Sequence, residues 1–119
     1  MIEKLRKQIE HSYYWDARVK ALDCNYFGDE VKLVFEDNGT DITYLFEECY
    51  KINIEHAMDY PKDIPSKEFD IAQIPYFIQD VEVNEILSGD KQYLEFKINI
   101  YPIEMYIVCK HFNICYAEN

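Results

Sequence analysis

Two runs of alternating character, Val31-Lys32-Leu33-Val34-Phe35 and Ile42-Thr43-Tyr44-Leu45-Phe46, flank the loop Asp37-Asn38-Gly39-Thr40-Asp41. Side chains on a strand alternate between its two faces, so Val31, Leu33 and Phe35 fall on one side of the first run and Ile42, Tyr44 and Phe46 on one side of the second. Asn38-Gly39 supplies the turn, because Asn and Gly tolerate the positive φ of a tight hairpin. Tyr50, Ile52 and Ile54 continue the apolar side of the second strand, interrupted only by Glu48. An unpaired carboxylate on a buried side is expensive. Either a bulge at Glu47-Glu48 or a basic partner such as Arg18 must relieve it, and the bulge is the simpler solution.

Working towards the N-terminus, Leu22, Cys24 and Tyr26 share one side while Ala17, Val19 and Ala21 share the other. The switch predicts a strand with a bulge near Ala21-Leu22. Phe27-Gly28-Asp29-Glu30 then turns into the hairpin, giving a three-stranded antiparallel meander over residues 17–54. Residues 2–14 carry Ile2, Leu5, Ile9 and Tyr13 along one stripe and charged residues elsewhere, which predicts an amphipathic helix covering a sheet. Tyr13-Tyr14-Trp15 reads as helix-to-sheet packing, with Trp15 largely buried, and secondarily as a binding patch.

Towards the C-terminus, the pairs Tyr60-Pro61, Ile64-Pro65 and Ile74-Pro75 exclude a central strand over residues 55–76. A long connection with a short edge strand at Phe69 to Ala72 is expected there. Phe77 to Leu87 reads as a strand, Ser88-Gly89-Asp90 as a turn, and Tyr93 to Tyr101 as a strand with Leu94, Phe96, Ile98 and Ile100 inward. Pro102 ends it, and Glu104 to Cys109 with Phe112 to Tyr116 supplies one or two more. The fold class is therefore mainly antiparallel β: a sandwich or curved sheet of about seven strands with one N-terminal helix, in a single domain of residues 1–119.

A hydrophobic content of 49% excludes the disordered class, and no apolar run reaches the ~18 residues of a membrane span. The first ten residues mix charges into every turn and do not resemble a signal peptide, which predicts a cytoplasmic protein. Cys24, Cys49, Cys109 and Cys115 are then expected to stay reduced and to pack as small hydrophobes. Cys109-x-His111-x3-Cys115 lacks the paired spacing of a structural zinc site, so no metal is assigned. No cofactor motif, nucleophile elbow or Gly-rich phosphate loop is present, and the neighbours of His11, His56 and His111 match no catalytic signature. No catalytic residue is assigned.

The net charge of −11 is unevenly spread: +1 over residues 1–26, −7 over 27–59 and −5 over 60–119. A chain without clustered Lys and Arg is a poor ligand for nucleic acid. A basic protein partner fits better, met by a rim of Asp29, Glu30, Asp37, Asp41 and Glu47, although solubility alone also explains an acidic balance. The run Trp15-Asp16-Ala17-Arg18-Val19, followed by Asp29 to Asp37, a hairpin turn and a strand ending near Phe46-Glu47, resembles a loose family of small bacterial β-rich domains grouped with polymorphic-toxin immunity proteins. The resemblance spans roughly residues 14–52 and carries over no functional residues. It implies a non-enzymatic protein that binds and blocks a toxin. The alternative is a ligand-binding module or enzyme working from a tyrosine-lined pocket between sheets.

Overall fold

Asn38 and Gly39 take φ of 48° and 82°, so the turn adopts the left-handed backbone its residues permit. The computed structural model describes residues 2–61 and 63–118. Strand β2 (Glu30–Asp37) runs into β3 (Thr40–His56), and Asp37 lies opposite Thr40 across the turn. The remaining elements are α1 (Ile2–His11), β1 (Val19–Asn25), β4 (Asp80–Ser88), β5 (Lys91–Ile100) and β6 (Ile103–Glu118). All six strands form one antiparallel sheet in the order β1-β2-β3-β6-β5-β4.

The sheet curls until its edges approach each other without closing into a barrel. The chain entering β4 donates from Ile78 N to Ala17 O (2.9 Å) and accepts at Ile78 O from Asp16 N (2.8 Å), while Gln79 N reaches Asn99 O of β5 (2.8 Å). One short segment therefore touches both ends of the sheet. The concave side becomes the core, where Val31, Leu33, Phe35, Tyr44, Phe46, Phe96 and Ile107 are fully buried. Phe46 meets Phe96 edge-on at 4.9 Å, and Phe96 meets Phe112 at 4.6 Å.

Helix α1 covers part of this core with Ile9, supported by Ile2 and Leu5. It also guards the β4 edge: Arg6 donates from Nε and Nη2 to Val83 O at 3.1 and 2.9 Å, and from Nη2 to Asn84 Oδ1 at 2.9 Å. Beyond the helix, Ser12 is fully buried. Its single hydroxyl hydrogen goes to Ile9 O (2.5 Å), so Tyr44 must donate to Ser12 Oγ (2.6 Å). Burial pushes the Tyr44 phenol up.

The meander over β1, β2 and β3 forms as its pattern predicts. The β1 register shifts between Val19 and Ala21, one residue before the expected bulge, and this turns Leu22 and Cys24 to the side of Leu33 and Val31. Three expectations are corrected. The helix ends at His11, because Tyr13 takes φ of 50°. Trp15 is 50% exposed, since Tyr14 occupies the core position and Trp15 stacks against it at 4.3 Å. No strand forms at 69–72, where Asp70 caps a 3-10 turn over Ile71–Gln73. Residues 103–118 form one continuous strand, and among the described residues the curved antiparallel sheet has six strands, in keeping with the expected number of about seven.

Candidate protein-binding surface

With Val31, Leu33 and Phe35 inward, alternation sends Glu30, Lys32, Val34 and Glu36 of β2 to the outer face of the sheet. The same rule sends Asp41, Thr43, Leu45 and Glu47 of β3 there. The register places Glu30 directly opposite Glu47, and Glu36 opposite Asp41. Carboxylates thus occupy both ends of the hairpin, about 20 Å apart at six strand steps. Lys32, Val34, Thr43 and Leu45 lie between them.

The two ends differ. At the turn end, Asp41 accepts a 2.8 Å ion pair from Lys20, which raises the Lys20 pKa, and Asp37 is half-buried. At the open end, Asp29, Glu30, Glu47 and Glu48 gather within two short segments. Glu47 accepts from Asn113 Nδ2 at 3.1 Å, and Glu48 lies 3.6 Å from His111 Nε2. Like charges directly opposite on adjacent strands oppose folding, so Glu30 beside Glu47 is a feature that stability alone does not select. The five rim residues are therefore not one cluster: Asp29, Glu30 and Glu47 come together, while Asp37 and Asp41 lie at the far end.

Glu48 resolves as its position in the pattern requires. It takes φ of 51°, which turns the carboxylate outward to half exposure, while the β3 register against β6 shifts between Cys49 and Lys51, beyond the bulge expected at Glu47-Glu48. Its partner is His111, and Arg18 instead stacks over Phe77 at 5.1 Å. Cys49 lies beneath this end, with its backbone N donating to Asp29 O (3.0 Å). Burial first, and then the negative charge of Asp29, pushes its thiol up to about 11.

Three aromatic residues at the same end escape a reading based on strand patterns. Tyr26 is 73% exposed, Phe27 is fully exposed, and Tyr50, the extra residue of the bulge, is 62% exposed and meets Tyr93 edge-on at 5.2 Å. The signal was local: two aromatics immediately before Gly28, within a turn, have no sheet face to bury against.

Elsewhere, a cleft of about 510 Å³ opens between β1 and the connection after β3, lined by Val19, Leu22, Phe69, Ile74 and Ile100. Its polar groups bond one another, Ser66 Oγ to the Tyr76 hydroxyl at 2.7 Å and that hydroxyl to His56 Nε2 at 3.3 Å. Cys109 is fully buried, whereas His111 and Cys115 are exposed. Among the described residues no group of three or more His, Cys, Asp or Glu is placed to hold a metal, and no helix is long and apolar enough to cross a membrane.

The chemically distinctive surface is thus an outward-facing, acidic and aromatic part of a curled antiparallel sheet, a form suited to contact with another macromolecule. The chain belongs to the family described as Immunity protein PIM7, whose family model matches residues 1–116. That membership gives it an immunity role, with a toxin as the kind of partner. Its fold is similar to the crystal structure of an uncharacterized protein from Neisseria gonorrhoeae, at 15% identity over 85% of this chain and 91% of that chain, with a TM-score of 0.56. No curated protein matches the sequence.

Proposed function

We propose that this protein neutralises its toxin by direct, non-enzymatic binding in the cytoplasm, and that the toxin presents a basic surface to the outer face of β2 and β3. The observation that carries this reading is Glu30 lying opposite Glu47, with Asp29 and Glu48 beside them. Like charges directly opposite across a strand pair oppose folding, and they gain value against positive charge on a partner. The remainder of the face fits the same role. Val34, Thr43 and Leu45 offer a less polar centre beside Lys32, and Glu36 and Asp41 rim its far side, with Asp37 on the inward parity of β2. This is the arrangement of interfaces that bury roughly 800 Å² per partner.

Charge of this kind acts mainly on encounter. Association with its toxin, sought among the products of neighbouring genes and carrying an inactivating substitution, is expected to slow steeply as salt rises. Replacing Asp29 with Asn and Glu30 and Glu47 with Gln should lower the low-salt association rate by about tenfold and flatten its salt dependence. The melting temperature should hold or rise, because the substitutions remove a like-charge pair and Gln at position 47 still accepts from Asn113. An association rate unchanged in the variant and across ionic strength would leave the charge as a solubility feature.

A second reading rests on the cleft beside β1, whose apolar walls and Ser66–Tyr76–His56 hydroxyl and imidazole groups suit a small amphipathic molecule. It predicts that Tyr76→Phe weakens binding of a small ligand found by a thermal-shift screen and leaves toxin association untouched.

A further inference from the structure

We infer that the turn Tyr26-Phe27-Gly28 is the apolar anchor of the interface, with Phe27 inserting into a pocket on the basic surface of the toxin; this rests on the toxin-binding reading above. Tyr26, Phe27 and Gly28 take φ of 53°, 58° and 88° in succession, three consecutive residues in left-handed backbone. Only Gly28 does so without strain, since an L side chain in this region crowds its own backbone. The strain ordinarily goes with a return elsewhere in the fold. Here the fold receives none from Phe27, whose side chain is fully exposed at the tip of the turn.

The turn is nevertheless held in place. Asp29 N donates to Tyr26 O at 3.1 Å, Cys49 N donates to Asp29 O at 3.0 Å, and Gly28 backs onto Ile52 of β3. A strained but fixed turn presents its aromatic ring with little ordering left to lose on binding. Aromatic side chains so presented, surrounded by polar groups that exclude water, carry a large share of binding energy in protein interfaces.

The surroundings select the occupant. Asp29, Glu30, Glu47 and Glu48 flank the turn, and they would repel an anionic membrane, a nucleic acid or the same acidic end of a second copy. A basic protein with an apolar pocket satisfies both the ring and its charged surroundings. The two features also divide the kinetics: the carboxylates act on association, and the buried ring acts on dissociation.

The test uses the same inactivated toxin domain, with association and dissociation rates measured separately. Phe27→Ala is expected to speed dissociation by more than about tenfold while association changes by less than about twofold. Phe27→Gly relieves the left-handed strain and removes nothing buried, so the free protein should melt at or above the wild-type temperature. Unchanged dissociation in Phe27→Ala, or a Phe27→Gly protein that melts several degrees lower, overturns the anchor and makes the turn a folding element. The carboxylate variant separates the two claims, since it moves association without reporting on Phe27. Wild-type protein that fails to bind the toxin domain overturns both.

Discussion

Cutting the buried chain from Tyr44 through Ser12 to the Ile9 carbonyl should reveal how α1 is tied to the sheet. Ser12→Ala removes the acceptor of the Tyr44 hydroxyl, a group that is fully buried and 2.6 Å from Ser12 Oγ. A buried donor left without a partner costs about 1–3 kcal/mol. Tyr44→Phe removes that donor instead, and Ser12 keeps its hydrogen bond to Ile9 O, so the loss should be smaller, about 0.5–1.5 kcal/mol. In the double variant no tyrosine hydroxyl is stranded, so its loss should fall about 1 kcal/mol or more short of the sum of the two single losses. Urea titrations of the four proteins measure this coupling, with melting temperature moving by roughly 4 °C per kcal/mol as a check. Losses that add within about 0.3 kcal/mol would show that the two hydroxyls act independently and that α1 is docked by its apolar packing and the Arg6 contacts without this buried link.

Phe35→Ala and Phe96→Ala should each destabilise by about 3–5 kcal/mol in the same titration, because both rings are fully buried in the aromatic core; a loss below about 1 kcal/mol would reverse the faces of their strands. All four thiols should be free after denaturation. In the native protein at pH 8, Cys24 and Cys115 should react promptly with a thiol reagent and Cys49 and Cys109 slowly, since burial raises these two to about 11 and about 12. Prompt reaction of all four would contradict the packing beneath the acidic end.

The hairpin was legible because three signals agree at one place: alternation in Val31 to Phe35, alternation in Ile42 to Phe46, and Asn38-Gly39 between them. Breaks in the pattern were as informative as the pattern itself. The switch near Ala21 announced the bulge in β1, and Glu48 on an apolar side announced an irregularity in β3, whose register shift falls just after it, between Cys49 and Lys51. What escaped depends on contacts distant in sequence. The pairing of β3 with β6 along their whole length sets the strand order, and it carries β6 unbroken through Lys110 and His111, where the local pattern suggests a gap. Trp15 was misplaced because a hydrophobicity argument cannot tell which of two adjacent rings reaches the core. In the candidate site, the acidic composition was visible but its division between two ends of the hairpin was not. Tyr26 reads as a strand residue beside Leu22 and Cys24, and Phe27 as an ordinary turn residue, because left-handed backbone at aromatic residues has no pattern of its own.

Whether the open end of the hairpin meets the toxin can be read from amide hydrogen exchange on the complex. With the inactivated toxin domain bound, peptides covering residues 23–32 and 44–52 should slow their exchange, while peptides from the connection over residues 60–76 should exchange as in the free protein. Protection confined to the 60–76 connection and the cleft it borders, with residues 23–32 and 44–52 unchanged, would contradict that contact.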